Sequence, residues 1–293
     1  MRLGAPILTG YKNPEEWVAL VLEEGYGAAY CPVDVGAEAE EVERYAQAAE
    51  EAGIVVAEVG AWAANALSSD PAEAERSIVY SQRALELAER IGARCCVNIA
   101  GTTGPVWAGH AAENFTESTF KRIVETVQAI IDGVEPEHTF YAIEVMPWIA
   151  PEDAESYIRL LAAIDRERCA VHFDPANMVN DPRKYYSTGE LMTEFVDKLG
   201  PHIRSCHAKD IRLDEEFPPW TVRLWECVPG SGNLDWDALL TELARLDPDL
   251  PLMLEHLETT AEYRTGSEHI RTVAANNGIA FVPAGSAHSG SRG

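Results

Sequence analysis

Four apolar runs in the second half of the chain carry, at or near their ends, a side chain that can bind a metal. The runs FYAIEVMPW, AVHFDPAN, IRSCHAKD and PLMLEHLE offer Glu144, Asp174, His207 and Glu255. A buried carboxylate is costly unless it is paired or bound to a cation, and neighbouring carboxylates repel one another. Three carboxylates and one imidazole suit Mn²⁺, Mg²⁺ or Co²⁺ better than a structural zinc site, which prefers sulfur.

Each of these residues also has a structural interpretation when it is taken alone. A carboxylate at the end of a strand is commonly the N-cap of the next helix, or simply a surface residue. Four such residues in chain order, each within an apolar run, favour a joint metal site. The hypothesis therefore depends on whether the fold brings the ends of the four runs together.

Short apolar runs alternate with amphipathic segments along the whole chain. Strands are predicted at 3–8, 27–32, 54–60, 94–99, 140–146, 169–174, 203–208 and 251–255. Helices are predicted at 14–24, 37–52, 70–91, 116–131, 151–164, 187–199, 236–246 and 260–277. Alternation of this kind indicates a parallel sheet with helical crossovers, and eight units favour an α/β fold of the (β/α)8 TIM barrel type.

A doubly wound open sheet is the alternative fold. It predicts a glycine-rich phosphate loop after the first strand, and ILTGYKNP holds a single glycine there. In a (β/α)8 barrel, side chains at the carboxyl ends of the strands converge on one mouth. We expect one barrel domain over residues 1–282, followed by a small polar tail over residues 283–293.

Composition narrows the function classes. The chain has 48 acidic and 23 basic residues, a formal net charge of −25, so we expect no nucleic acid partner and no anionic membrane surface. No window approaches a membrane span, and the N-terminus lacks the apolar core of a signal peptide. The six cysteines form no C-x-x-C pair and are predicted to be reduced. A cytoplasmic location is therefore expected.

The motifs IEVMPW, HFDPAN, SCHAKD, VPGSGNLDW and LMLEH resemble those of the sugar phosphate isomerase/epimerase superfamily, which has a xylose-isomerase-like barrel. The likeness covers roughly residues 3–282. It implies that Glu144, Asp174, His207 and Glu255 bind a divalent metal, Mn²⁺ first, with Mg²⁺ and Co²⁺ as alternatives. It also implies that Glu144 and Glu255 are the catalytic acid–base pair of an isomerase or epimerase that converts a keto sugar through a metal-stabilised enediolate.

Three positions depart from the ketose 3-epimerase pattern. Asn177 replaces a histidine, Ala150 replaces a glutamate, and Glu226 replaces an arginine. These departures keep open a metal-dependent lyase on the same scaffold, either an inosose-type dehydratase or a C-glycoside deglycosidase subunit acting on a 3-keto sugar. A non-catalytic sugar-binding subunit, or a non-catalytic partner subunit, is a further alternative. An endonuclease-IV-like role is disfavoured by the charge and by the single obvious histidine ligand.

Other polar and aromatic residues are candidates for a carbohydrate pocket. We expect substrate contacts from Asn177, Lys209, Trp148, Trp107 and His110, while Asp210 could orient a neighbouring group. His172 shares the strand parity of Asp174 and is interpreted as a core histidine with its hydrogen bonds satisfied. Ordinary packing or ion pairing is the alternative for each.

The segment 212–227 contains Phe217, Trp220 and Trp225 and interrupts the barrel pattern. Aromatic side chains are enriched at protein interfaces, so this segment is predicted to form a lid or a subunit contact. Folding of these aromatics back onto their own elements is the alternative. A homo-oligomer is expected, and a hetero-partner subunit remains an option.

Overall fold

A computed structural model describes residues 1–214 and 220–286 of the protein. The strands are β1 Arg2–Ala5, β2 Ala28–Ala29, β3 Val55–Val56, β4 Glu58–Gly60, β5 Cys95–Ile99, β6 Tyr141–Glu144, β7 Cys169–Phe173, β8 Ile203–Ala208, β9 Asp210–Leu213, β10 Leu224–Cys227 and β11 Pro251–Leu254. The helices are α1 Pro14–Glu23, α2 Ala39–Ala52, α3 Pro71–Ile91, α4 Glu117–Val134, α5 Ala154–Ile164, α6 Pro175–Met178, α7 Pro182–Tyr186, α8 Thr188–Leu199, α9 Trp236–Leu243 and α10 Thr260–Asn276.

The main sheet is parallel and closes into a barrel. Its strand order is β3-β2-β1-β11-β8-β7-β6-β5-β4, so the two outermost strands, β3 and β4, are consecutive pieces of the third barrel strand. The amide of Ala57 donates to Ala29 on one side, and the amide of Arg94 donates to the Val56 carbonyl on the other. The sheet therefore has no free edge at this point, and the predicted (β/α)8 barrel is confirmed.

Local sequence signals set the helix boundaries. Asp70 caps α3 by accepting a hydrogen bond from the Ala72 amide at 3.0 Å, Pro71 opens the helix, and Gly92 ends it with φ 75°. Asp153 and Ser156 form a reciprocal capping box at the start of α5. Caps of this kind satisfy amides that have no partner within the helix. The start of α3 agrees with its prediction, whereas α5 begins at Ala154 and not at the predicted residue 151, because Asp153 is its cap.

The structure adds elements that the sequence patterns did not predict. Short helices α6 and α7 follow β7, and each begins at an Asp-Pro pair, with Asp174 and Asp181 as N-caps. Pro175 thus ends the strand and also opens a helix, because proline is favoured in the first helical turn. Strands β9 and β10 form an antiparallel hairpin outside the barrel.

Arg2 and Asp249 lie at the opposite end of the barrel from the strand termini that carry the polar motifs. Arg2 Nε donates to Asp249 Oδ1 at 2.6 Å, and Nη1 donates to the carbonyls of Gly53 and Pro283. The Arg2 side chain is fully buried. It therefore ties the first strand, the chain before the last strand and the C-terminal segment into one hydrogen-bonded unit.

The predicted tail is described only as far as residue 286. The Gly285 amide donates to the Ala52 carbonyl at 2.8 Å, so the start of this segment packs on the end of α2. Residues 287–293 lie outside the described residues, and the boundary at 282 stays a prediction. In the described residues, no helix combines the length and the apolar character that a membrane span needs.

We expect Arg2→Met to destabilise the barrel strongly. Removing one partner of a buried ion pair leaves the other charge without compensation, which costs about 3–5 kcal/mol in free energy of unfolding. Urea denaturation followed by circular dichroism measures this loss. The matched control is Arg264→Met, because the Arg264 pair with Glu24 lies at the surface. Equal effects of the two substitutions would show that the Arg2 pair has no special role.

Candidate metal centre

The structure brings the four predicted metal ligands together at the mouth of the barrel. One ligand atom from each of Glu144, Asp174, His207 and Glu255 lies within 4.8 Å of all the others. His207 Nδ1 is the centre of this group, at 3.2 Å from Glu144 Oε1, 3.5 Å from Asp174 Oδ2 and 2.8 Å from Glu255 Oε1. The four residues come from β6, the turn after β7, β8 and the turn after β11, which are neighbours in the sheet.

Asp174 combines two functions that the sequence presented as alternatives. Its Oδ1 accepts a hydrogen bond from the Asn177 amide at 3.0 Å and caps α6. Its Oδ2 faces the other ligand atoms instead. The cap fixes the carboxylate plane, so the second oxygen is directed into the site without a separate support.

Glu144 is held in place by Asn177. The Asn177 side-chain amide donates to Glu144 Oε1 at 3.1 Å and to the Val145 carbonyl at 3.2 Å. Asn177 was predicted as a substrate contact, and that assignment stays a prediction. The contact observed here is with Glu144, a candidate catalytic residue. Asn177 can therefore orient the Glu144 carboxylate, whether or not it also contacts a substrate.

Lys209 is buried within the carboxylate group. Its Nζ lies 2.7 Å from Asp174 Oδ2 and 2.6 Å from Glu255 Oε1, which are ion-pair distances. A carboxylate oxygen has two lone pairs, so each of these oxygens can accept from Lys209 and still bind a cation. Three carboxylates around one imidazole therefore fit a divalent metal with oxygen ligands.

Beneath this group lies a second set of buried polar residues that the sequence analysis missed in part. Glu58 Oε1 lies 2.9 Å from His207 Nε2, and Glu58 Oε2 lies 2.9 Å from His172 Nε2. His172 was interpreted as a core histidine, and its contact with Glu58 agrees with that. Glu58 was not predicted, although VVAEVG has the same signature of a carboxylate within an apolar run.

The charges at the centre shift the pKa values of its carboxyl groups in different directions. Burial raises the pKa of Glu144 above its usual value, and nearby His207 only partly opposes this. Burial also acts to raise the pKa of Glu255, but His207 and Lys209 outweigh it and lower that pKa. For Glu58, burial is likewise outweighed, here by His172 and His207, and the pKa lies well below the usual range. Two carboxyl groups shifted apart, as Glu144 and Glu255 are, can form an acid–base pair.

Aromatic side chains lie beside His207 or follow the barrel strands. Trp148 is 44% exposed, and its ring lies 5.5 Å from that of His110. Trp62 and Tyr30 approach the His207 ring at 6.3 and 6.4 Å, and neither was predicted. Trp62 lies two residues after the third barrel strand. This position at a strand end is the feature of the sequence from which Trp62 could have been predicted as a site residue. Flat apolar faces beside a polar centre suit the C–H faces of a sugar ring.

Trp107, the remaining predicted contact, lies in the loop between β5 and α4 and is partly buried. Its indole nitrogen is buried, and no hydrogen-bond partner is found for it in the described residues. The structure gives Trp107 no measured contact with the four ligands. Its role as a substrate contact therefore stays a prediction.

Asp210 organises the glycine-rich turn that follows the hairpin. Its Oδ2 accepts hydrogen bonds from the amides of Gly230 and Gly232 and from Trp236 Nε1 at 2.9–3.2 Å. A Cβ on Gly232 would lie 2.2 Å from Asp210 Oδ1, so only glycine fits at this position. Asp210 therefore holds the wall of the site in place, one residue after Lys209.

Glu226 and His256 form a pair at the rim of the site. His256 Nδ1 lies 2.8 Å from Glu226 Oε2, and its Nε2 lies 3.5 Å from Glu255 Oε2. His256 adopts φ 55°, the left-handed region that non-glycine residues rarely occupy. Glu226 also lies 3.4 Å from Lys209 Nζ. The position that carries arginine in the epimerase pattern is thus occupied by a carboxylate hydrogen-bonded to a histidine.

Comparison with known proteins agrees with this architecture. The family model described as xylose isomerase-like TIM barrel matches residues 18–273. The chain belongs to the xylose isomerase-like TIM barrel family. The xylose-isomerase-like barrel that the sequence motifs predicted is therefore confirmed. Among curated proteins, the uncharacterized protein YihM of Escherichia coli is 30% identical over 115 residues. That alignment covers 38% of this chain and 32% of YihM, so the chain spans about a third of that relative's length.

Solved structures of the xylose isomerase-like type share the whole barrel. A barrel protein from Mycobacterium smegmatis in complex with magnesium has a TM-score of 0.67 at 14% identity, covering 94% of this chain and 97% of that one. The apo 3-keto-D-glucoside 4-epimerase YcjR of Escherichia coli has a TM-score of 0.65 at 16% identity, covering 93% and 99%. Endonuclease IV from Thermus thermophilus has a TM-score of 0.69 at 15% identity, covering 94% and 100%. Identities this low show the fold alone.

We expect the purified protein to bind one divalent cation at the four converging residues. Glu144→Gln and Asp174→Asn each remove a negative oxygen ligand, so each should weaken Mn²⁺ binding by at least about tenfold, in the range seen when a supporting carboxylate is lost from a metal site. Isothermal titration of chelator-treated protein with MnCl₂ measures the affinity.

The matched control is Asp132→Asn, a half-exposed aspartate near the end of α4 that pairs with Arg166 at the surface. Its Mn²⁺ affinity should equal that of the wild type. Full metal content in both Glu144→Gln and Asp174→Asn would show that the cation, if bound, is held elsewhere.

Proposed function

We propose that the protein is a divalent-metal-dependent isomerase or epimerase that acts on a keto sugar or a related polyol ketone. The observation that carries this proposal is the placement of Glu144 and Glu255. They lie on the outer two of four adjacent strands, and Asp174 and His207 lie between them. Their carboxylates therefore flank the centre from two sides, as proton transfer on opposite faces of a carbon requires.

The chain's own residues supply the proton transfers. One of the two glutamates removes the proton from the carbon next to the carbonyl, and the electron pair forms a C=C bond and moves onto the carbonyl oxygen, giving an enediolate with one negative charge. In an isomerisation, the proton of the neighbouring hydroxyl also moves to the former carbonyl oxygen. The same carboxyl group returns the proton to the neighbouring carbon in an isomerisation, or the other glutamate delivers a proton to the opposite face in an epimerisation. A bound cation, for which we favour Mn²⁺, would supply Lewis-acid polarisation of the carbonyl and hydroxyl oxygens.

The remaining residues bind and orient the sugar in this proposal. Lys209 is the buried ammonium nearest the reacting centre and can donate to a substrate oxygen. Trp148 and His110 form one wall, and Trp62 forms a second wall close to His207. These surfaces contact the apolar side of a sugar and keep water away from the carbanionic carbon, which would otherwise be protonated without stereochemical control.

A lyase on the same scaffold is the second candidate, and the pair of Glu226 and His256 favours it. Elimination needs the same α-proton removal, and then a proton for the departing β-substituent. His256 lies within 3.5 Å of Glu255 and is oriented by its 2.8 Å contact with Glu226. An imidazole N–H at this position can protonate a leaving oxygen, a function that the arginine of the epimerase pattern does not provide at neutral pH.

Location and partners are also part of the proposal. All six cysteines are unpaired, four of them buried, which supports the predicted cytoplasmic location. The net charge of −25 supports a small-molecule substrate and disfavours nucleic acid. The shared barrel with endonuclease IV does not alter this, because one fold hosts unrelated activities.

We expect Glu144→Gln and Glu255→Gln each to lower proton exchange by about 10²–10⁴-fold, the usual contribution of a general acid–base group. The measurement is deuterium incorporation next to the carbonyl, by mass spectrometry, in deuterated buffer with saturating Mn²⁺. The substrate panel contains ketoses, inososes and 3-keto glucosides. Glu242→Gln is the control, because this carboxylate lies on α9 away from the site and should leave exchange unchanged.

The same incubations separate the two candidate reactions. An isomerase or epimerase gives a deuterated sugar isomer, whereas a lyase gives an enone that absorbs in the ultraviolet. Deuterium uptake without an enone would exclude the lyase for that substrate. Absence of both, with every substrate and with Mn²⁺ bound, would refute proton-transfer catalysis and favour a binding subunit.

The rim hairpin generates a prediction about assembly. Trp220 and Val222 are 84% and 52% exposed, whereas Trp225 contacts its own hairpin through a 3.0 Å hydrogen bond from Nε1 to Asp214. Phe217 lies outside the described residues. We expect Trp220→Ala to lower the mass of a homo-oligomer measured by light scattering, because an exposed indole of this kind is a typical interface anchor.

Leu22→Ala is the control for assembly, since Leu22 is an exposed apolar residue on α1. It should leave the mass unchanged. A wild-type protein that is already monomeric, or a Trp220→Ala variant with the wild-type mass, would contradict a subunit contact at the hairpin.

A further inference from the structure

Glu58 occupies the point where the candidate metal centre meets the barrel interior. It is fully buried on β4, and each of its carboxylate oxygens meets a different imidazole at 2.9 Å. One of these rings belongs to His207, which contacts the other three carboxylates through its opposite nitrogen. The other ring belongs to His172, whose hydrogen-bond partner within the described residues is Glu58.

The protons in this network follow from the donor inventory. An ionised carboxylate only accepts hydrogen bonds, so each Nε2 that meets Glu58 at this distance must carry a hydrogen. Nδ1 of His207 lies within 3.5 Å of Glu144, Asp174 and Glu255, and its 2.8 Å contact with Glu255 also calls for a hydrogen when no cation is bound. A neutral imidazole has one N–H, so with Nε2–H held by Glu58 a cation would replace the hydrogen on Nδ1. The hydrogen bond between Nε2 and Glu58 therefore determines whether Nδ1 is available to bind a cation.

His172 supports the same arrangement. Its Nε2 engages the second oxygen of Glu58, and its ring packs edge to face against His207 at 4.1 Å. Its Nδ1 is buried, and no partner for it is found in the described part of the chain. Among these residues, the His172 ring therefore forms its one hydrogen bond with Glu58. This is the contact expected of a residue that fixes the orientation of the Glu58 carboxylate.

We propose that Glu58 is a positioning residue, held by His172, that fixes His207 as the Nε2–H tautomer and thereby leaves Nδ1 as a ligand for a divalent cation. This inference rests on the metal centre proposed above. Carboxylates that accept a hydrogen bond from a metal-binding imidazole orient the ring and increase its basicity.

A second cation between Glu58, His172 and His207 is the competing interpretation, since their donor atoms also lie within 4.8 Å of one another. It would require both imidazoles to give up their Nε2 hydrogens. The two 2.9 Å contacts are ordinary hydrogen-bond lengths and satisfy both carboxylate oxygens, so no ion is needed there. The number of ions bound per chain distinguishes the two interpretations.

The first test is the Mn²⁺ affinity of three variants, measured from the free-Mn²⁺ signal in electron paramagnetic resonance. Glu58→Met keeps the volume but removes the acceptor, and we expect a loss of about 10–100-fold. Glu58→Gln should bind several-fold more tightly than Glu58→Met. Its amide oxygen can still accept from His207, while its amide nitrogen donates to His172 in the other tautomer.

His172→Phe is the matched control. It removes one hydrogen bond from the same buried network and keeps an aromatic ring beside His207. If Glu58 supports Mn²⁺ binding by positioning His207, His172→Phe should lose several-fold less Mn²⁺ affinity than Glu58→Met. Equal losses in the two variants, with equal falls in thermal stability, would reduce Glu58 to a structural residue and overturn the proposal. Two Mn²⁺ ions per chain, one of them lost in His172→Phe, would overturn it as well.

The second test observes the hydrogen directly and needs no metal. In ¹H–¹⁵N spectra of histidine-labelled protein, we expect a slowly exchanging Nε2–H signal that disappears in His207→Asn. It should be present in the wild type and absent in Glu58→Met. Its presence in both would overturn the proposal. A wild type that shows the signal but binds no Mn²⁺ would refute the metal centre itself, whereas Mn²⁺ bound equally by wild type and Glu58→Met would refute only the role of Glu58.

Discussion

The structure of the site depends on the burial of like charges around His207. Glu58, Glu144, Asp174 and Glu255 approach its ring from two sides, and Lys209 supplies a buried ammonium beside two of them. When the imidazoles are neutral, as a metal-binding imidazole must be, four carboxylates and one ammonium leave three negative charges in a small volume. Such an excess is stable only if a cation or protons compensate it. A divalent ion compensates two of the three charges, which is why the donor set and the charge balance point to the same ligand.

The barrel explains how such an unfavourable group can be assembled. Residues far apart in the chain reach one mouth because parallel strands end on the same side, and rigid strands hold them against their mutual repulsion. Several polar side chains serve the fold and the site together. Asp174 caps α6 with one oxygen and faces the site with the other, and Asp210 orders the turn at Gly232. The cost of burying these groups is thus offset in part by hydrogen bonds that the fold needs anyway.

The barrel and the four candidate ligands were predictable from the sequence, whereas the role of Glu58 was not, for a physical reason. The alternation of apolar runs with amphipathic segments predicted the barrel, and the strand-end positions predicted that Glu144, Asp174, His207 and Glu255 converge. Glu58 was missed because it belongs to an early strand, and because its partners His172 and His207 are more than a hundred residues away. A pattern within one strand shows that a carboxylate is buried. It does not show which side chain crosses the barrel to meet it.

The rim raises a different question, which concerns specificity more than metal binding. At the centre, the residues agree with the epimerase pattern, whereas Asn177 and Glu226 depart from it. The contacts show what these departures change. Asn177 binds Glu144 and so can still orient the proposed catalytic carboxylate, but Glu226 replaces a permanent positive charge with a carboxylate that is paired to His256 and lies near Lys209. A ligand that approaches this rim meets acceptors and an imidazole in place of a guanidinium. The proposed metal chemistry is therefore compatible with these contacts, while the part of a proposed sugar substrate distant from the reacting carbon would be recognised differently from the epimerase pattern.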